Sequence, residues 1–250
     1  VRLISSPAVC NNAGMLQVCP NGARTKADDD GIPVTSGELA VAVRNAVAAG
    51  ARDAHLHPRD DAGAETLEPG PVTRAVTAVR AAAPGIPVGV TTAAWAEPDP
   101  HRRAALVRSW PVPPDHASVN WHEEGAELVA QALLERGVGI EAGIFSGTDA
   151  AERFLAWPQA DRVLRVLAEV VDTDPESATA TARDLLHRLR PATRPVLLHG
   201  EEGGAWPVLR LARELGLDTR IGLEDTLLLP DGSPAPGNAD LVRAALEIGR

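Results

Sequence analysis

The segment DAHLHPRDD, residues 53–61, sets His55 and His57 one residue apart at the end of a short apolar run, with Arg59 and three aspartates around them. If that run is a β-strand, its period of two sends both imidazoles to one face, which is the geometry of a chelating pair. A divalent metal held by nitrogen needs more ligands, and catalytic zinc sites often use two histidines and a carboxylate, with one position open to water or substrate. The same spacing also suits two partly buried histidines hydrogen-bonded to their neighbours, and HxH alone does not separate the two readings.

The elements that must position these residues follow from hydrophobic patterning. Short β-branched or leucine-rich runs alternate with longer alanine-rich amphipathic segments. LQVCP leads to a helix starting near Thr35, where TSGE gives a threonine cap with Glu38 three residues on, and the helix ends at Gly50. DAHLH is the second strand, a helix follows around 70–83, and PVGVTT is the third strand. A helix near 100–109, HASVN, a helix at about 124–136, VGIEAGIF, a helix near 148–156 and VLRVLAEV continue the pattern. Helices near 175–189, 205–215 and from about 238 then enclose RPVLLHG and TRIGLED. Eight such pairs predict a single-domain (β/α)8 TIM barrel over residues 15–250, with an open α/β sheet as the alternative. Residues 1–14, VRLISSPAVCNNAG, carry no periodicity and read as an irregular extension, with the fold beginning near Leu16.

Active sites of such barrels lie at the C-terminal ends of the strands. Polar residues at those positions are Asn21 and Arg24; His55, His57, Arg59 and Asp60; Thr91 and Thr92; Ser118, Asn120, His122, Glu123 and Glu124; Glu141; Glu169; His199, Glu201 and Glu202; and Arg220, Glu224 and Asp225. Any one of them could simply cap a helix or meet solvent, but their concentration on one rim favours a site. Glu224 is a plausible third metal ligand, because strands two and eight both flank strand one and open on the same mouth.

Composition excludes several classes. A formal charge of −10 argues against a general phosphate-backbone binder, which needs a basic surface. The two cysteines, Cys10 and Cys19, are too few for a disulfide framework and suggest a reducing, cytoplasmic setting. No apolar run approaches the ~18 residues of a membrane helix, and no export signal is visible. Almost all positive charge is arginine, which suggests a GC-rich bacterial genome.

NGARTKADDDGIPVT (21–35), AGARDAHLHPRDDAG (49–63), ASVNWHEEGA (117–126) and TRIGLEDTLLLPDGSPAPGNADLV (219–242) together resemble the bacterial β-keto acid cleavage enzymes. The resemblance runs from about residue 15 to the C-terminus, and HLHPRD with RIGLED at opposite ends of one chain is highly specific. It implies a zinc-dependent barrel with His55, His57 and Glu224 as ligands and Arg220 and Asp225 serving the chemistry. The implied reaction joins a β-keto acid to acetyl-CoA and cleaves a carbon–carbon bond, giving acetoacetate and a new CoA ester. Thr91, Ser118, Asn120, Asn21, Glu123 and Glu201 are the expected substrate contacts. The family's strand-one glutamate has no counterpart in PNGARTK, which leaves Asn21 or Arg24 in its place. Acetyl-CoA rests on the resemblance alone, since neither GxGxxG nor GxxxxGK occurs.

Glu123, Glu201 or Glu202 in the pocket would favour a cationic keto acid, whereas on helix N-termini they would only meet the helix dipole. A metal-dependent hydrolase, with His199 as a fourth ligand, and an inactive metal- or metabolite-binding barrel are the alternative readings. The family implies a homo-oligomer, and Trp95, Trp110 and Trp157 could anchor its interface or pack under the barrel loops.

Overall fold

The computed structural model describes residues 14 to 248, so the expected irregular extension lies, apart from Gly14, outside the described residues. In chain order the elements are β1 (Leu16–Val18), α1 (Ser36–Ala49), β2 (Asp53–Leu56), α2 (Pro69–Ala82), β3 (Val88–Val90), α3 (Pro100–Ser109), β4 (His116–Asn120) and α4 (Ala126–Glu135). They continue as β5 (Gly139–Phe145), α5 (Ala150–Ala156), β6 (Arg165–Val170), α6 (Ala178–Arg188), β7 (Val196–Gly200), α7 (Ala205–Glu214), β8 (Thr219–Ile221) and α8 (Asn238–Glu247).

Local sequence explains the helix ends. Thr35 Oγ1 accepts from Glu38 N at 3.2 Å and Glu38 Oε2 accepts from Thr35 N at 2.8 Å, so two amides left open by the first turn of α1 are satisfied. Proline opens α2 and α3, where its missing N–H costs nothing, and Asp99 caps α3 through His101 N at 2.9 Å.

All strands are parallel in the order β7-β6-β5-β4-β3-β2-β1-β8. Leu198 N donates to Asp218 O at 2.9 Å and Thr219 Oγ1 donates to Leu198 O at 2.7 Å, which brings β7 against β8 and nearly closes the sheet into the expected (β/α)8 barrel. Strands β4 and β6 are buried along their whole length, as parallel strands between a helical layer and a filled interior must be.

Strand ends differ from the patterned expectation where the backbone leaves the sheet for a turn. The sixth strand starts at Arg165, not Val163, because a short 3-10 turn at Ala160–Arg162 ends on Val163 and pairing with β5 begins only at Arg165. Strand β3 stops at Val90 and β8 at Ile221, so Thr91, Thr92, Glu224 and Asp225 sit on the turns that follow. Trp110 and Trp157 are buried in the core, Trp110 donating to Leu67 O at 2.9 Å, so they pack under the barrel loops. Trp95 is 53% exposed, at the mouth.

Candidate metal centre

Asp53, His55 and His57 alternate along one face of β2 and its extension, and the barrel interior is layered accordingly. In the lower layer Arg165 donates to Glu141 Oε1 and Asp53 Oδ2, both at 2.7 Å. Gln17 Nε2 donates to Glu141 at 2.9 Å and Asp53 at 3.0 Å, while His116 lies 3.0 Å from each carboxylate. Gly89 makes room for that imidazole, since a Cβ there would come within 2.1 Å of the ring.

Burial opposes charge at each of these groups, but the partners outweigh it. The Glu141 carboxyl is held well below its usual range and that of Asp53 is lowered, chiefly by His116 and Arg165, while their carboxylates raise His116 to about 10. With His116 protonated, two cations balance two anions in a layer sealed from water.

The metal-ligand candidates stand on this floor. The ligand atoms of His55, His57 and Glu224 lie within 4.8 Å of one another, and His57 Nε2 is 3.5 Å from Glu224 Oε2. That oxygen is buried without a hydrogen-bond partner. His55 Nδ1 is 3.3 Å from Glu141 Oε2 and His57 Nδ1 is 3.0 Å from Glu65 Oε1, both close but poorly aligned for a hydrogen bond. Each imidazole therefore keeps Nε2 for a ligand and has a carboxylate behind it, the arrangement that fixes ring orientation around a metal. Two imidazole nitrogens and an unpartnered carboxylate oxygen are a donor set that fits a zinc-like cation.

Burial would lower the His57 pKa, but Glu224 and Glu65 raise it to about 10 in the metal-free protein. Burial would likewise raise Glu224, yet Arg220, and then His57, hold it well below the usual carboxylate range. Arg220 donates Nη2 to Glu224 Oε1 at 2.8 Å and Nε to Asp225 Oδ1 at 3.0 Å, which leaves Asp225 Oδ2 open.

A second group, His55, His116 and Glu141, has ligand atoms equally close. The guanidinium of Arg165 already occupies the anionic side of Glu141, so a cation there would meet like charge. Among the described residues, His199 belongs to neither group, which leaves the fourth-ligand idea without geometric support.

Asn21 grips the backbone of His57 from both sides, Nδ2 donating to His57 O at 2.8 Å and Oδ1 accepting from His57 N at 3.1 Å. Thr91, Ser118 and Asn120 line a small recess beside His55 and His57, and Thr91 Oγ1 also accepts from Ala93 N at 3.1 Å. Glu123 is turned away from the cavity. It pairs with buried Arg103, accepts from Ala94 N at 3.0 Å, and is held by Asn120 Nδ2 at 2.9 Å.

Glu201 and Glu202 do line a cavity of about 400 Å³, with Arg24, His57, Trp95 and Glu169. Burial, its largest cause, raises the Glu201 carboxyl above its usual range. Arg24, which stands in the strand-one turn, pairs with Glu202 at 2.6 Å and donates Nε to Glu224 O at 3.2 Å.

Sequence reasoning passed over Asp53, His116 and Arg165, although the period of two that paired the histidines also places Asp53 on their face. It gave Trp95 no part in the site, yet the indole stacks 6.4 Å from His57 and donates Nε1 to Glu65 at 2.9 Å. Glu65 lies in a loop bridged to Arg59, with no spacing signal to reveal it.

Residues 14–250 match the beta-keto acid cleavage enzyme family model. The chain is 27% identical to the 3-keto-5-aminohexanoate cleavage enzyme of Fusobacterium nucleatum, over all of this chain and 93% of that protein. It is 29% identical to the 3-oxoadipate:acetyl-CoA acetyltransferase of Cupriavidus necator, over 87% of this chain and 81% of that one. Among solved structures, 3-dehydroquinate dehydratase from Geobacillus kaustophilus superposes with a TM-score of 0.59 at 16% identity, covering 94% of this chain and 90% of that one. Thiamine phosphate pyrophosphorylase from Pyrococcus furiosus gives 0.55 at 13%, covering 95% and 96%. At such identities these two structures speak for the barrel alone.

Proposed function

The chain belongs to the beta-keto acid cleavage enzyme family, and from that premise we propose that it is a zinc-dependent enzyme that condenses a β-keto acid with acetyl-CoA and releases acetoacetate and a new acyl-CoA. The observation that carries this reading is the His55, His57 and Glu224 cluster, with Arg220 bonded to both Glu224 and Asp225. Acetyl-CoA is supported by the similarity to the 3-oxoadipate:acetyl-CoA acetyltransferase of Cupriavidus necator.

Zinc bound by the two imidazoles and Glu224 would supply a Lewis acid for the substrate's carboxylate and keto oxygen. Asp225, with Oδ2 open, removes a proton from C2 of the β-keto acid, and the carbanion attacks the acetyl thioester. Arg220 orients Asp225 through Oδ1 and adds fixed positive charge where negative charge develops. Released CoA thiolate then attacks the keto carbon, the C2–C3 bond breaks, and the acetoacetate carbanion regains a proton. Thr91, Ser118 and Asn120 offer polar groups from the recess to the substrate's oxygens, Asn21 keeps the His57 backbone in register, and Trp95 shields the centre from water.

The cavity lining favours a cationic keto acid, with Glu201 as its partner. Six carboxylates face two arginines, so a divalent ion would still leave the lining two charges negative. Cysteine usage and the family add a cytoplasmic homo-oligomer to the reading.

The test is zinc-loaded protein with cationic, neutral and anionic β-keto acids, with and without acetyl-CoA, followed by mass spectrometry. Acetoacetate and a new CoA ester only when acetyl-CoA is present support the reaction. Product without acetyl-CoA would favour the hydrolase, and silence across the panel the inactive barrel. Glu201→Gln should weaken a cationic substrate and leave a neutral one nearly unchanged; equal loss for both refutes the charge assignment.

A further inference from the structure

His199, at the end of β7, has no part in the steps above, yet it is 4% exposed and lines the cavity. It pairs in register with Glu169 of β6. Its Nε2 is 3.4 Å from Glu169 Oε2, its Nδ1 is 3.4 Å from Asp225 Oδ1, and neither nitrogen has an aligned hydrogen-bond partner. A histidine buried only for packing would have at least one ring nitrogen satisfied. This one is suspended between two carboxylates, one of them the proposed base.

The proposed reaction needs a place to keep a proton. One proton leaves C2 before acyl transfer and one returns to the same carbon in acetoacetate, so the net reaction neither takes up nor releases any. A proton left on Asp225 stays within reach of the carbanion and can quench it before the thioester is attacked. We infer that His199 is the proton store of this site, receiving the C2 proton from Asp225 at Nδ1 and returning it by the same path.

In the forward half, Asp225 takes the proton and its C2–H electron pair stays on the substrate. The carboxyl then turns its O–H toward Nδ1, leaving aspartate and an imidazolium whose Nε2–H faces Glu169. After the C2–C3 bond breaks, the imidazolium returns the proton through Asp225 to the acetoacetate carbanion. No outside acid, base or oxidant is needed. The groups facing the ring are Glu169, Asp225, Arg220 and Glu201; burial and Arg220 lower the His199 pKa, but the two neighbouring acids leave it raised. His199 acts through Asp225 and is a positioning and proton-holding residue.

The inference rests on the proposed reaction, and two experiments keep their failures apart. The first compares zinc-loaded wild type with His199→Gln, which keeps polar contacts but cannot hold a proton. Expected are unchanged metal content and circular dichroism, KM within about threefold, a kcat about 100-fold lower, and loss of the rise in kcat with pH that marks imidazole becoming neutral. Partial rescue of His199→Gly by free imidazole is expected as well. A His199→Gln enzyme with kcat within threefold and the same pH profile overturns the inference, as does a loss matched by falling metal content.

The second experiment needs no substrate: the His199 ring signal is titrated by NMR in zinc-loaded wild type and in Asp225→Asn. A midpoint that falls in Asp225→Asn supports a shared proton, and an unmoved midpoint overturns it. If wild type is inert with every keto acid, the reaction itself is refuted, and the titration still decides whether His199 and Asp225 share a proton.

Discussion

Replacing Glu141 by glutamine removes one of two carboxylates that hold Arg165 and His116 inside the barrel, at a position with no exposed surface. The amide is nearly isosteric, so the change is electrostatic: two buried cations would share the single charge of Asp53. Breaking a buried pair from one side costs about 3–5 kcal/mol. For a chain of this length, that lowers the melting midpoint by about 6–20 °C.

The pH dependence is as specific. His116 has a pKa of about 10 in the folded chain against 6.5 for the free group, so its contribution is complete below pH 6.5 and is lost as pH rises through 10. Asp53 and Glu141 are lowered, so theirs is present above the ordinary carboxylate range and lost as pH falls below that range to their lowered folded pKa values. Glu141→Gln takes one acid from His116 and lowers its folded pKa, and the alkaline loss should therefore be complete closer to neutrality. Thermal unfolding of metal-free protein between pH 5 and about 10 measures both effects. A destabilisation under about 1 kcal/mol, or an alkaline limb that does not move, would refute an ionised interior layer.

Metal affinity should rise as pH increases toward 10, because His57 is held protonated to about that pH in the metal-free protein and must lose its proton to bind; chelator competition at several pH values, with calorimetry to count released protons, checks this. Glu65→Gln should lower zinc affinity by about 10–100-fold with little change in the fold, since Glu65 backs His57 from 3.0 Å; equal affinity in the same competition assay would show that the carboxylate does not orient the ring. Gly89→Ala should fail to give a stable fold, because the new Cβ falls 2.1 Å from the His116 ring in a layer with no room to yield, and soluble expression with native circular dichroism would contradict that packing.

Much of the centre was legible in one dimension because strand periodicity is local. Two residues apart on a strand means one face, so His55 and His57 could be paired from sequence, and the alternation of eight runs pointed to a barrel whose mouth collects the strand ends. The threonine cap of α1 was equally local, and its reciprocal bonds are present. Glu123 looked like a mouth residue by the same logic, yet Arg103, 20 positions earlier, turns it into a brace between α3 and the loop after β4.

What only the tertiary structure decided lies between elements distant in the chain. Asp53 meets Arg165 across 112 positions, Gln17 meets Glu141 across 124, and Arg24 meets Glu202 across 178. Which polar residue faces which depends on strand register, on where each strand stops and on loop conformation, none of which side-chain pattern encodes at a distance. The residue types and their periodicity determined that this chain would carry a histidine pair at a barrel mouth. Loop conformation decided that Glu65 stands behind His57, and assembly of the barrel decided that Glu141 stands behind His55 and that His199 lies between Glu169 and Asp225, because there elements distant in the chain bring buried charges close enough to hold one another.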